Sequence, residues 1–234
     1  MRLLVTRPQP DADRSAEALR QRGHIVTVAP VLDVEIIANA AWGEGPYAAV
    51  VMTSANAARA ISTHGRRDEL AGLTVFTVGR TTAAAARAAG FSTVASADGG
   101  AAELVGLIAA ELDRSGARLL YLAAEQRATD LATALAPHGL HVETAVIYRT
   151  IANPMLAQEL HAALSSGVDG VLHYSRRSAQ TFLTGARGAG CIEAALGWTH
   201  YCLSGEVAAP LRAAGATAIK VAAQPDEAAL IALL

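Results

Sequence analysis

RLLVTRPQPDADRSAEALRQRGHIVTVAP, residues 2–30, aligns without a gap to RLLYLAAEQRATDLATALAPHGLHVETAV, residues 118–146. Each stretch opens with a short apolar run and continues as an alanine-rich helical pattern. Each then closes with a second apolar run after a glycine, which is Gly23 in the first stretch and Gly139 in the second. This succession predicts a strand, a helix and a second strand, and its recurrence indicates an internal repeat.

The similarity continues on the C-terminal side of both stretches. VVMTSANAARAI (50–61) is similar to VLHYSRRSAQTF (171–182), and VFTVGRTTAAAARAAGF (75–91) is similar to HYCLSGEVAAPLRAAGA (200–216). The chain is therefore predicted to hold two copies of one five-stranded α/β unit. Strands that alternate with helices favour doubly wound, flavodoxin-like parallel sheets, and two such lobes naturally enclose a cleft.

The second strand of each copy is followed by an apolar pattern that has no turn residues. These segments are VLDVEII (31–37) and VIYRTIA (146–152). They are too long for ordinary loops, so we expect them to pair as a two-stranded β connection between the lobes.

Composition restricts the class of protein. With 234 residues, of which 52% are hydrophobic and 17% charged, the chain should fold into a globular protein with a large core. A net charge of -2 gives no basic field, which disfavours nucleic acid as the partner. The two cysteines have no CxxC spacing, and the N-terminus lacks the pattern of a signal peptide. We therefore expect a cytoplasmic protein without a membrane span.

Hydroxyls and glycines cluster where predicted strands give way to helices. The segments are TRP (6–8), TSAN (53–56), GRTT (79–82), YSRRS (174–178) and SGE (204–206). Ligands of doubly wound sheets bind at these strand ends, where helix N-terminal amides suit carboxylates or phosphates. Ordinary N-capping explains any one serine or threonine, but recurrence on both copies favours a ligand site.

Several other chemistries are disfavoured. GGAAELVG (99–106) lacks the GxGxxG spacing, and there is no GxxxxGK[ST] stretch, so no nucleotide cofactor is expected. No serine lies in a GxSxG elbow, which argues against a hydrolase. His138 and His141 flank Gly139 at a predicted turn and cannot share a helical face, so no metal is expected.

Tyr148 lies in the second connecting segment, where a side chain can face a cleft. A phenol there can donate a proton or a hydrogen bond to a leaving hydroxyl. Packing in a core is the alternative explanation.

Taken together, LLVTRPQPDA, VVMTSANAARA, VFTVGRTTAAAARAAGF, ETAVIYRT, YSRRSAQTF and LSGEVAAPLRAAGA resemble bacterial uroporphyrinogen-III synthases over the whole chain. The resemblance implies that hydroxymethylbilane loses its terminal hydroxyl as water and cyclises to uroporphyrinogen III. Ring D is inverted through a spirocyclic intermediate, without a metal or an organic cofactor. Helix N-termini can hold the eight carboxylates of this substrate without a basic surface. A non-catalytic two-lobed binding protein for an anionic small molecule is the alternative function.

The resemblance also implies an exchange of chain between lobes in a monomer. One lobe is expected to contain residues 1–32 and 152–234, and the other residues 38–145, with 31–37 and 146–152 connecting them. Tyr148 matches the family's tyrosine and is the predicted catalytic residue. The predicted substrate-binding residues are Thr6, Arg7, Thr53, Ser54, Asn56, Gly79, Arg80, Thr82, Ser175, Arg177, Ser178, Ser204 and Gly205.

One stretch departs from the family pattern. Many relatives carry a hydroxyl-bearing stretch after the glycine of this turn, which is Gly205 here, whereas this chain has Glu206, Val207 and Ala208. Glu206 would repel substrate carboxylates unless it faces away from them.

Overall fold

Strands and helices alternate in the computed structural model, which describes residues 1–112, 116–127 and 129–234. The strands are β1 (Arg2–Val5), β2 (Ile25–Val28), β3 (Leu32–Ile36), β4 (Ala49–Met52), β5 (Thr74–Thr77), β6 (Val94–Ser96), β7 (Arg118–Ala124), β8 (His141–Ala152), β9 (Gly170–His173), β10 (Thr199–Cys202) and β11 (Ile219–Val221). The α-helices are α1 (Asp11–Arg20), α2 (Ala55–Ser62), α3 (Arg80–Ala88), α4 (Ala101–Glu111), α5 (Leu131–Leu135), α6 (Leu156–Ser166), α7 (Arg176–Gly188), α8 (Ile192–Leu196), α9 (Gly205–Ala213) and α10 (Glu227–Ile231). None of the helices in the described ranges is long and apolar enough to cross a membrane.

The chain divides into two compact units, each with one sheet. Unit 1 is Met1–Asp33 together with Ile151–Leu234, and its sheet has the order β2-β1-β9-β10-β11. Unit 2 is Val34–Thr150, and the second sheet has the order β3-β8-β7-β4-β5-β6. All pairs from β2 to β11 and from β8 to β6 are parallel. The predicted fold class, α/β with two flavodoxin-like sheets, is confirmed.

The strand order shows how the sequence repeat is distributed between the sheets. The first two strands of one copy, β1 and β2, pair with the last three strands of the other copy, β9 to β11. Likewise β7 and β8 join β4, β5 and β6. The equivalent glycines Gly23 and Gly139 have φ values of +82° and +74°, a left-handed conformation that disfavours other residues.

The two connecting segments pair in the second sheet. β8 runs unbroken for 12 residues and so joins the predicted strand after Gly139 to the connecting segment at 146–152. β3 lies beside it, and the Ile37 amide donates to the Ile147 carbonyl at 3.0 Å. No turn-forming residue interrupts the apolar pattern, so the extended backbone continues.

Apolar residues cover both faces of each sheet, as parallel strands require. All four residues of β4 are buried, with Val50 and Met52 in one cluster and Ala49 and Val51 in another. In unit 1, Leu4 packs against the side of α7, while its neighbours in β1 face the α1 side. The polar groups needed for chemistry are thereby displaced to the strand ends.

Candidate active site

The flavodoxin-like strand order is β2-β1-β9-β10-β11 in unit 1, and the equivalent strands of unit 2 are β8-β7-β4-β5-β6. In this order the crossover connections change sides between the second and third positions, and ligands bind at the carboxyl ends of those two strands. This switch point lies between β7 and β4 in unit 2 and between β1 and β9 in unit 1. The two units differ in what occupies it.

A pocket of about 330 Å³ lies at the switch point of unit 2. That volume is near the lower end of the range for small-molecule sites. The pocket is lined by the ends of β4 and β7, by β8 and by the loop after β7: Thr53, Ser54, Val78, Ala101, Tyr121, Ala124, Gln126, Arg127, Thr129 and Tyr148. Three predicted site residues, Thr53, Ser54 and Tyr148, therefore meet in one cavity.

Tyr148 projects from β8 into this cavity and is only 6% exposed. Burial raises the pKa of its phenol, and a hydrogen bond with Ser54 partly opposes that effect. Tyr121 stands close enough to raise the pKa of Tyr148 further. Tyr148 is therefore a neutral phenol at physiological pH, with a proton to donate.

Ser54 has two roles at the end of β4. Its hydroxyl oxygen accepts the Asn56 amide at 3.2 Å and so caps α2, as ordinary N-capping requires. The same hydroxyl also lies close enough to Tyr148 to lower the pKa of the phenol. The next backbone amides of α2 keep the partial positive charge that attracts an anion.

The neighbouring Thr53 hydroxyl lies 2.8 Å from the phenol oxygen of Tyr121. Tyr121 comes from β7 and is 4% exposed. The sequence does not mark this tyrosine as a site residue, because a tyrosine among leucines in RLLYLA is typical of core packing.

Among the residues of the described ranges that line the pocket, Arg127 alone has a charged side chain. Its guanidinium donates to the carbonyl oxygens of Ala124 and Glu125, at 3.0 and 3.5 Å. No carboxylate forms an ion pair with it in the described part of the chain, although its charge contributes, after hydrogen bonds from Thr133, to the lowered pKa of Asp130. The guanidinium can therefore still pair with an anion. A depression of about 630 Å³, which shares Tyr121 and Arg127 with the pocket, continues toward the N-terminus of α5.

The other predicted residues of unit 2 are not among those lining the pocket, and two of them have partners within the protein. The Asn56 side-chain oxygen accepts from Arg59 at 2.6 Å, and Arg80 pairs with Asp98 at 2.8 Å. Gly79 precedes α3 as its N-cap, and Thr82 is buried on that helix. Arg80 is 88% exposed, so its ion pair contributes little to stability.

In unit 1 the switch point is occupied by the protein's own polar groups. The guanidinium of Arg7 binds the Glu227 carboxylate at 3.1 Å and the Asp11 carboxylate at 3.4 Å, and it lies 4.4 Å from the ring centre of Tyr174. The Thr6 hydroxyl is buried and donates to the Leu172 carbonyl at 2.7 Å. The structure therefore places Arg7 and Thr6 at the expected strand end, engaged with the fold.

The remaining predicted residues of unit 1 cap helices or adjoin the caps. Ser175 caps α7 and lies 2.8 Å from the hydroxyl of Ser178, and Ser204 caps α9. Gly205 opens α9, and Arg177 lies in the first turn of α7. Each cap uses one amide of its helix and leaves others for a ligand.

The stretch that departs from the family pattern has a structural explanation in α9. Val207 and Ala208 are buried in the core of unit 1, at 5% and 0% exposure. Glu206 is exposed in the first helical turn, where a carboxylate interacts favourably with the helix dipole.

No group of three metal-ligating side chains occurs in the described ranges. His138 and His141 flank Gly139, whose left-handed backbone separates a short 3₁₀ turn from β8.

A family model described as uroporphyrinogen-III synthase HemD matches residues 13–232. The solved structure of uroporphyrinogen-III synthetase from Helicobacter pylori is similar, with 17% identity, a TM-score of 0.66, and coverage of 100% of this chain and 98% of that chain. A mutant uroporphyrinogen III synthase from the extremely thermophilic bacterium Thermus thermophilus has 18% identity and a TM-score of 0.56, with coverage of 100% and 95%. No curated protein matches the sequence.

Proposed function

This chain belongs to the uroporphyrinogen-III synthase family, and we propose that its pocket at the ends of β4, β7 and β8 is the centre of the reaction. The enzyme is a cyclising hydro-lyase that converts hydroxymethylbilane to uroporphyrinogen III in haem biosynthesis. The alternative function, a non-catalytic binding protein, has no support from the comparisons. The observation that carries the proposal is the buried phenol of Tyr148 beside the N-terminus of α2.

Tyr148 assists departure of the hydroxyl. The C–O bond of the hydroxymethyl group breaks with its electron pair on oxygen, and the phenol proton completes a water molecule. The lone pair of the adjacent pyrrole nitrogen takes up the positive charge left on carbon. Ring closure expels a proton from the substrate, which restores the phenol, so the net loss is one water.

Ser54 supports this role, because a hydroxyl that donates to the phenol oxygen leaves the phenol's own proton free for the substrate. The donated hydrogen bond also stabilises the phenolate that forms when the proton leaves. This is the direction in which Ser54 acts on the pKa of Tyr148.

The substrate carboxylates are held by uncharged groups and few cations. Amides at the N-termini of α2 and α3 supply partial positive charge, and Arg127 supplies a full one at the pocket. Because the pocket is small, it is suited to one pyrrole ring with its side chains, and the remaining rings lie outside it. We propose the same role for the N-termini of α7 and α9 in unit 1.

Substitution of Tyr148 by phenylalanine tests the proposal. The variant should form uroporphyrinogen III more slowly by roughly 10² to 10⁴, with an unchanged melting temperature. The assay separates the type I and type III isomers after oxidation, because hydroxymethylbilane also closes spontaneously to the type I ring. The control is Tyr201→Phe, whose buried hydroxyl has only the sulfur of Met1, at 4.0 Å, as a hydrogen-bond partner among the described residues. Wild-type speed in the Tyr148 variant would remove it from the mechanism.

The location and assembly state are also proposals. Cys191 and Cys202 are buried free thiols, which suits a reducing compartment such as the cytoplasm. We propose that the enzyme acts as a monomer, since every group invoked in the reaction comes from a single chain. Light scattering coupled to size exclusion would give twice the chain mass if this is wrong.

A further inference from the structure

Thr53 and Tyr121 form a pair of hydroxyls at the pocket that has more protons than its own hydrogen bond needs. Thr53 Oγ1 and the phenol oxygen of Tyr121 lie 2.8 Å apart, and either can donate to the other. Each hydroxyl has one proton, and the bond between them uses only one of the two. Neither has another hydrogen-bond partner in the described parts of the chain. The Thr53–Tyr121 pair therefore keeps one free O–H, whichever way its bond runs.

The Ser54–Tyr148 pair has the same property. The Ser54 oxygen already accepts the Asn56 amide, and Ser54 lowers the pKa of Tyr148, as a hydroxyl that donates toward the phenol oxygen does. The phenol proton of Tyr148 is then free. Thr53, Ser54, Tyr121 and Tyr148 all line one pocket. Two free O–H donors, one from each pair, are therefore present at the same cavity.

On the basis of the function proposed above, we infer that Tyr121, held by Thr53, provides the second hydrogen bond to the leaving hydroxyl, beside Tyr148. A hydroxyl oxygen accepts two hydrogen bonds, which matches the number of donors. Tyr148 transfers its proton as the C–O bond breaks. The Thr53–Tyr121 pair keeps its protons and stabilises the electron pair that accumulates on oxygen.

The chemistry of the pair favours this role over carboxylate binding. Carboxylates are charged before, during and after the reaction, and the arginine and the helix N-termini suit such permanent charge. A pair of neutral hydroxyls interacts most strongly with an oxygen whose charge develops in the transition state, and this difference accelerates the reaction. The phenol of Tyr121 is also fixed before substrate arrives, because Thr53 holds it.

The test compares Tyr121→Phe with wild type under the isomer-resolved assay. We expect kcat to fall roughly 100- to 1000-fold, the order found when one donor to a developing oxyanion is removed, with KM within about twofold. Inhibition by the product is the decisive second measurement. Uroporphyrinogen III has the same carboxylates but lacks the leaving hydroxyl, so its inhibition constant should not change.

Thr53 provides the rescue experiment. Thr53→Ser keeps the hydroxyl and should retain most of kcat, whereas Thr53→Val should lower kcat about as much as Tyr121→Phe. Tyr201→Phe is the matched control for removing a buried phenol. Melting temperatures of all variants separate loss of folding from loss of chemistry.

The outcomes are distinguishable. Unchanged kcat in Tyr121→Phe, or weakened product inhibition together with a raised KM, would overturn the assignment of Tyr121 to the leaving oxygen. If Tyr148→Phe is slow while Tyr121→Phe is not, only the second donor is lost and the proposed reaction centre stands. If both variants are as fast as wild type, the proposed centre itself is wrong.

Discussion

Replacing His200 by leucine should reduce the acid sensitivity of unit 1. His200 in β10 and His173 in β9 are fully buried, and their rings share one hydrogen bond of 3.0 Å between Nδ1 and Nε2. Phe182 packs against both rings. Burial lowers the pKa of His200 to about 4, against a smaller opposing effect of the Ala195 backbone. Burial and the neighbouring His200 lower the pKa of His173 well below its usual value.

The sign and size of the effect follow from these pKa values. Between pH 6.5 and about 4 the unfolded chain binds a proton at His200 and the folded chain does not, so the free energy of unfolding falls as the pH falls. The difference of 6.5 − 4 = 2.5 pH units is worth about 3.4 kcal/mol in full. From pH 7.5 to 4.5 the loss from His200 alone should be about 2.5 kcal/mol.

Urea unfolding at these two pH values measures the prediction. Trp198 reports on unit 1, because its ring lies 6.3 Å from that of Phe182, and a Trp42→Phe background removes the tryptophan of unit 2. Carboxylates whose pKa is lowered by folding, such as Glu143, also reduce stability in acid, but they are common to both proteins and cancel in the difference. If wild type and His200→Leu lose equal stability between the two pH values, His200 is not held neutral by burial.

Three further predictions concern the topology, a turn and the ligand site. Fragments 1–116 and 117–234 should not fold alone, because β7 pairs with β4 and β9 pairs with β1; a cooperative melt of either fragment by circular dichroism would contradict this. Gly23→Ala should cost about 1–2 kcal/mol because of its left-handed backbone, whereas Gly188→Ala in α7 should be stabilising by roughly 0.5–1 kcal/mol. An added Cβ meets no described atom within 4 Å at either position, so equal denaturation midpoints would refute the backbone argument. Arg127→Gln should raise KM about tenfold, the equivalent of one charge-assisted contact, with kcat nearly unchanged, while Arg14→Gln, at an exposed ion pair of α1, should leave both constants unaltered.

The fold could be predicted from the sequence because its signals are local. A strand, a helix and a glycine turn recur at fixed spacing, and Gly23 and Gly139 indeed share a left-handed backbone. N-capping was the alternative explanation for each hydroxyl in the recurring polar turns, and Ser54 and Ser175 do cap their helices with nearly the same backbone angles. Such features depend on a few consecutive residues, so periodicity and turn chemistry reveal them.

The partners of individual side chains could not be predicted in the same way. Arg7 binds Glu227, which is 220 positions away in sequence. Tyr121 faces the pocket although its position in β7 follows the alternation of a core residue. Arg127 follows the strand in a loop without a recognisable motif. Each of these depends on which strand ends the topology brings together, which the local pattern does not contain.

The scarcity of charged side chains at the pocket suits the way in which charge develops during the proposed reaction. Positive charge develops on the pyrrole as the hydroxyl leaves, so a cation placed at the C–O bond would oppose the step that it is meant to assist. A phenol avoids this conflict, since it donates a proton without carrying a charge beforehand. The raised pKa of Tyr148 makes full proton transfer to the intact hydroxyl unfavourable, which ties the transfer to the breaking of the C–O bond. The phenolate that results lies beside the new cation in a site of low dielectric constant, and the same raised pKa makes it a strong base for the proton that ring closure releases. A chain of net charge -2 can thus act on a polyanion, because its few cations bind the substrate carboxylates and its hydroxyls contact the C–O bond that breaks.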